Sequence, residues 1–389
     1  MPSSPLALGF IGGALDSAVG YTHFSACNLD NHWYLLAGAF SQNPQINRET
    51  AKVYGVSGDH VYDDWKHMLA KEKDQLDAVT ILTPTPSHYQ IVSECLAQGV
   101  PVICEKALAT SSAEIEAIIQ ARNTHKGFLA ITYNYSGYPM ARELRSLIQS
   151  GVLGEILHFQ AEMPQEGYRR VDSHGNKPQP QEWRLQDGNI PIIYLDLAVH
   201  LHQLIHYFTD QHPLEVVADH STCGWFNVID NVSCLCRYSK NILGQMWFSK
   251  SALGHRNGLR IRIYGSEASA EWLQSNPEEL LLCFADGRRQ VLDRGNDTQV
   301  AGSTRYTRFK AGHPTGFIEA FANLYMDIGQ SLQAYKMTGI WPSDEVFSAE
   351  LALEGINMLE AMVKSTKIGK WTAVCDASSD DTYTKQGQK

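Results

Sequence analysis

The chain has 389 residues, 43% of them hydrophobic and 19% charged, with a formal net charge of -10. That length exceeds the size at which a single core usually stops growing, so two domains are expected, and the composition excludes a disordered or fibrous chain. The acidic balance, with no basic patch, argues against nucleic acid and anionic lipid as partners, and no run approaches the roughly 20 apolar residues that cross a bilayer.

Taken in chain order, Met1 to Ser4 leads straight into an apolar run, Leu6 to Ile11, with no basic leader or cleavage pattern, which predicts a cytoplasmic protein. That run reads as a first strand, Gly12 to Gly20 as a glycine-bearing turn, and a helix follows through Ala26. Trp33 to Phe40 is a second strand, followed by a helix holding Arg48 to Tyr54, a short segment near Val61 and a helix from Asp63 to Lys71. Ala78 to Leu82 is a continuous apolar run suited to a strand buried on both faces. Thr83-Pro84-Thr85-Pro86-Ser87-His88 breaks it, because proline removes a ladder donor, and a helix is expected to start at Ser87. Val102 to Cys104 is the next strand, Ser111 to Ala121 a helix and Phe128 to Tyr133 a last strand. Counting the segment near Val61, six strands alternate with helices, the order of a parallel sheet covered on both faces.

Beyond about residue 135 the rhythm changes to longer strands with alternating faces, the pattern of an antiparallel sheet in an α+β domain. Candidate strands are Ile156 to Glu162, Leu214 to His220, Asn231 to Tyr238, Ile242 to Lys250, Leu259 to Tyr264 and Ala268 to Leu273. Helices are expected at Met140 to Gln149, Ile193 to Phe208, Pro314 to Tyr335 and Val346 to Ser365. The fold class is thus α/β: an N-terminal Rossmann-type parallel sheet over residues 1–134, then an α+β domain with a large, mostly antiparallel open sheet over 135–375, and a polar tail at 376–389. Eight cysteines lie singly apart from Cys234 and Cys236, which point the same way from a strand, as reduced and buried thiols would.

Chemistry enters at the strand ends. Gly12-Gly13-Ala14 between the first strand and first helix is placed where a glycine turn brings a pyrophosphate onto helix-terminal amides, although Ala14 stands for the usual second glycine and Asp16 adds a negative charge. The second strand ends in Phe40-Ser41-Gln42-Asn43 with no acidic residue for a ribose, so NAD is favoured and NADP stays open, with Ser41 able to bond either. Glu105-Lys106-Ala107 follows the fifth of the six segments, at the carboxyl edge where open α/β sheets bind ligands. A lysine there can favour the ionised form of a substrate hydroxyl. Asp196 and His200 are four apart in an apolar segment, on one face of a helix, and a histidine can exchange a carbinol proton near neutral pH. His202 and His206 repeat that spacing. Zinc is the competing reading, but with no metalloprotease glutamate and no partner ligand evident, no metal is expected.

These pieces resemble the glucose-fructose oxidoreductase and inositol dehydrogenase family, Gfo/Idh/MocA. The resemblance covers nearly the whole chain, through Gly9 to Gly13, Thr83-Pro84 to His88, Glu105-Lys106-Ala107, Tyr133-Asn134-Tyr135, Gly151 to Glu155, Trp183-Arg184, Asp196 to His200, Gly254 to Gly258 and Gly312-His313-Pro314. It implies a Rossmann domain binding cofactor through Gly12, Gly13, Ala14, Ser41, Thr83, Pro84, His88, Glu105, Lys106, Asn134, Trp183 and Arg184. It further implies an open-sheet domain that often forms the contact of a homo-oligomer, a dimer or tetramer. Lys106, Asp196 and His200 match the catalytic positions, and Tyr135, His255 and His313 join them as candidate substrate contacts. The activity implied is hydride transfer between NAD(P) and a carbinol of a sugar, cyclitol or sugar derivative. Ala107 stands for the proline of Glu-Lys-Pro, Gln203 for a second Asp, and Ile192-Ile193-Tyr194 for a glycine-rich lead-in. Two rival readings are an NAD-assisted glycoside hydrolase or lyase, and a dinucleotide-binding sensor without turnover.

Overall fold

The computed structural model describes residues 4–341 and 343–374. Nine helices and fourteen strands are found among them. In chain order these are β1 (Leu6–Gly12), α1 (Gly20–Leu29), β2 (Trp33–Ala39), α2 (Pro44–Tyr54), α3 (Trp65–Glu72), β3 (Ala78–Leu82), α4 (His88–Ala97), β4 (Val102–Glu105), α5 (Ser112–His125) and β5 (Leu129–Thr132). Then come α6 (Pro139–Gln149), β6 (Ile156–Pro164), α7 (Val199–Thr209), β7 (Pro213–Ser221), β8 (Asn231–Tyr238), β9 (Leu243–Ser249), β10 (Arg260–Gly265) and β11 (Ala268–Leu273). The last are β12 (Leu280–Phe284), β13 (Arg289–Leu292), α8 (Phe317–Thr338), α9 (Ala349–Ile368) and β14 (Thr372–Ala373). No described helix is long and apolar enough to cross a membrane.

The chain divides into two compact units. The first runs to Ser146 and adds Pro277–Leu280 and Leu292–Ala349; the second takes Leu147–Asn276, Leu281–Val291 and the described residues from Glu350 onward. Where a cut after residue 134 was expected, the first unit thus takes back α8 from far along the chain. The polar tail at 376–389 lies outside the described residues.

In the first unit a five-stranded sheet runs in the order β2-β1-β3-β4-β5, with every neighbouring pair parallel. Burial on both faces explains the unbroken apolar runs: all five residues of β3 and all four of β4 and β5 are buried. The expected sixth strand is absent, because the segment near Val61 makes only a single bridge to Gly38. Local chemistry sets several helix ends. Asn43 caps α2 by accepting from the Gln45 and Ile46 amides, with Pro44 in the first turn, and Asp64 does the same for α3 through Lys66 and His67. Ser87 does not cap α4 with its side chain; its hydroxyl donates to Thr83 Oγ1 at 2.8 Å instead.

The second unit is built on a nine-stranded sheet in the order β13-β12-β11-β10-β6-β9-β8-β7-β14, mostly antiparallel, with β6 and β9 parallel. Alternation places Val232, Cys234, Cys236 and Tyr238 of β8 inward, while Leu235 and Arg237 face out. Cys234 and Cys236 are therefore buried strand residues. The helix expected at Ile193 to Phe208 is α7 preceded by a π-helical turn, Tyr194–Ala198.

Candidate active site

The first unit presents the carboxyl ends of β1, β3, β4 and β5. Gly12 and Gly13 have φ of 83° and 78°, and a Cβ on them would stand 2.8 Å from the Leu82 backbone and 2.5 Å from its side chain. A Cβ on Gly20 would lie 2.1 Å from Gly13 O, so only glycine lets α1 start this close to the turn. Between them Ser17 Oγ accepts from the Gly20 amide at 3.2 Å, closing the longer loop that carries Ala14 and Asp16. The result is a backbone cradle against the first turn of α1, where helix amides favour an anion.

Glu105 ends β4 inside the protein, and burying a carboxylate is costly unless it is well bonded. His23 Nε2 donates to Glu105 Oε1 at 3.0 Å and Thr132 Oγ1 donates to the same oxygen. His23 Nδ1 in turn meets Tyr325 OH at 2.8 Å, and that hydroxyl lies 3.3 Å from Thr80 Oγ1. Burial pushes the Glu105 carboxyl up, but His23, the adjacent Lys106 charge and Thr132 outweigh it, so the group is held below the ordinary carboxylate range. It is thereby a fixed anion next in the chain to Lys106, whose peptide bond to Ala107 is cis. His88 holds the neighbouring backbone: Nδ1 lies 2.9 Å from Ala107 O and Nε2 2.7 Å from Thr83 O, while burial lowers its pKa. Both ring nitrogens of His88, expected at the cofactor, thus face backbone carbonyls, and the neutral ring donates to one of them.

In the second unit, Asp196 lies in the π-helical turn that feeds α7, one turn before the buried His200. Its Oδ2 takes Arg184 Nη1 at 3.0 Å and the ammonium of Lys250 from the end of β9. Arg184 also stacks over Trp183 at 4.4 Å, and Lys250 lies 5.2 Å over the ring of Tyr168, whose hydroxyl donates to Arg184 O. Burial, with Asp196 nearby, raises the Tyr168 hydroxyl to about 12, so it stays a proton donor at neutral pH. Trp183 and Arg184, expected at the cofactor, stand in this cluster.

Residues 7–133 match the family described as an oxidoreductase family with an NAD-binding Rossmann fold, and residues 141–271 match the GFO/IDH/MocA C-terminal domain. The chain belongs to the Gfo/Idh/MocA oxidoreductase family. Uncharacterized oxidoreductase YfiI of Bacillus subtilis is 29% identical, across 94% of this chain and 96% of that one. Levoglucosan dehydrogenase of Pseudarthrobacter phenanthrenivorans is 24% identical over 67% of this chain and 70% of its own. Among solved structures, an inositol dehydrogenase homolog from Azotobacter vinelandii superposes with TM-scores of 0.86 in complex with NAD+ and 0.85 with NADH and myo-inositol. It is 26% identical and covers 95% of this chain and 98% of that one.

This Gfo/Idh/MocA member is an NAD-dependent oxidoreductase, and its first unit fits the cofactor on its own evidence. Gly12, Gly13 and Gly20 let the turn close against Leu82 and Gly13 O, where no Cβ fits, which brings bare backbone to the start of α1. Asn134, 3% exposed just past β5, has an Nδ2 with no hydrogen-bond partner among the described residues, as a donor reserved for a ligand would. Tyr135 is buried and stacks on Tyr138. His255 and His313 are both exposed, the first in the second unit and the second in the first. Gln203, standing for an acid in the family pattern, is fully buried with neither amide atom bonded among the described residues. Lys250 and His23 were missed from sequence: each sits far along the chain from the carboxylate it serves, and the only signal is that a buried acid needs a partner.

Proposed function

We propose that the protein oxidises a secondary carbinol of a sugar, cyclitol or related polyol. When bound, NAD supplies the hydride acceptor. His200 takes the hydroxyl proton, Lys106 orients that hydroxyl and favours its ionised form, and Asp196 fixes the polar cluster next to His200. The observation that carries this reading is the pairing of Asp196 with Arg184 and Lys250 one turn before His200. With Asp196 held by two cations, the proton exchange is assigned to His200, the buried imidazole one turn further on. The relatives named for levoglucosan and inositol support the substrate class. We place the enzyme in the cytoplasm as a homo-oligomer joined through the open sheet face, which light scattering of the purified chain tests.

The direct test is NADH formation with NAD+ and a panel of cyclitols, anhydrosugars, aldoses, sugar acids and nucleotide sugars, repeated with NADP+. Turnover with at least one polyol is expected. Tight NAD+ binding without NADH from any of them, or release of an aglycone from a glycoside with no net NADH, refutes the reading.

A further inference from the structure

Three histidines and a glutamate converge in the second unit, around the far end of α7 from Asp196. His202 and His206 stand one turn apart on α7, with His206 six residues beyond His200, roughly 9 Å along the axis. His212 lies in the turn before β7, and Glu354 comes from α9. Glu354 Oε1 lies 2.8 Å from His202 Nε2 and 3.0 Å from His206 Nδ1, and Oε2 lies 2.5 Å from His212 Nδ1. One ligand atom from each of His206, His212 and Glu354 falls within 4.8 Å of the others. Exposure rises outward from 2% at the His202 side chain through 23% at His206 to 56% at His212, so the group is closed behind and open in front.

We propose that His206, His212 and Glu354 bind a divalent transition-metal ion, with zinc preferred over magnesium or calcium. His202 acts as the positioning residue that holds the carboxylate. Two imidazoles and one carboxylate are the donor set of a borderline ion, whereas calcium and magnesium take oxygen ligands. Ligand atoms about 2.1 Å from a tetrahedral zinc stand about 3.4 Å apart, so side-chain rotation alone gathers the three. Each liganding imidazole offers its Nδ1 lone pair, its proton moving to Nε2, and water completes the coordination through the open front. His202 keeps one carboxylate oxygen through Nε2, the outer-shell arrangement that orients metal ligands. Gly355 makes this possible, since a Cβ there would stand 3.0 Å from His202 Nδ1. Sequence reading set metal aside at His202 and His206 because no partner was evident; the partners are His212 and Glu354, the latter 148 residues beyond His206. The ion would tie α7, the turn before β7 and α9 together. This site does not depend on the dehydrogenase reading.

The test uses the full chain stripped with a chelator, then titrated with cobalt(II) alone by visible absorption and with zinc alone against a chromophoric competitor. One cobalt per chain with the intense ligand-field absorption of low coordination is expected, displaced by one zinc. His212→Ala and His206→Ala should each lower zinc affinity at least about tenfold, and His202→Ala about 10- to 100-fold. His212 is exposed enough that its variant should fold, which far-UV dichroism checks, and His212→Asn gives a second version. No stoichiometric cobalt absorption, or equal zinc affinity in wild type and folded His212 variants, overturns the site.

Discussion

Glu105 and His23 show how one residue's cost becomes another's task. A carboxylate at the end of a buried strand is tolerable only while His23 and Thr132 donate to it. Replacing His23 by Leu leaves the acid with half its donors and should cost about 3 kcal/mol in urea unfolding. The double variant with Glu105→Gln should recover part of that loss, because the uncompensated charge is gone. Additive costs in that cycle would mean the two side chains are not coupled. Lys106 and His200 make a different claim, on rate. Their alanine variants should lower the chemical step by roughly two to four powers of ten with NAD affinity kept. Unchanged single-turnover rates would remove them from the chemistry.

At the scale of elements, period and punctuation made most of the fold legible. The continuous run of β3 and the alternation of β8 each announce their burial, so strands such as Ala78–Leu82, Asn231–Tyr238 and Ala268–Leu273 read with their observed bounds. β12 and β13 were missed, although Asp286-Gly287 between them is a hairpin signal, with Gly287 at φ 88°. The three-histidine cluster illustrates what pattern cannot reach, since its carboxylate, Glu354, comes from α9, 148 residues beyond His206. Burial raises the Glu354 carboxyl, but hydrogen bonds from His202, His206 and His212 overcome it and hold it far below the ordinary range. A carboxyl depressed by folding contributes stability above its unfolded pKa of about 4.3 that is lost as pH falls below it. In chelator, Glu354→Gln should therefore cost about 2 kcal/mol at pH 7, and the gap to wild type should close as the solution is acidified below about pH 4. A gap independent of pH down to that range would show that the carboxylate charge is not what joins the helices.

For the whole molecule, the later segments that join the first unit were not read from the sequence. Chain rhythm changes near residue 135, yet the parallel sheet is completed by residues from much later, because a helix that covers a sheet can come from anywhere in the chain. Trp33 Nε1 donates to Tyr325 O at 2.9 Å, Tyr325 OH meets His23, and the buried Arg142 binds Asp327 at 2.7 Å. Phe321, Leu324, Tyr325 and Ile328 of α8 are each at most 2% exposed. A fragment ending at residue 146 loses these partners and leaves Arg142, Trp33 and His23 with buried polar atoms unmet. It should unfold without a cooperative transition and fail to bind NAD. Adding a second chain that spans residues 292–349 should restore both. A fragment that melts cooperatively and binds NAD alone would show instead that the later segment is dispensable to the cofactor-binding core, and that the boundary near 135 is the physical one.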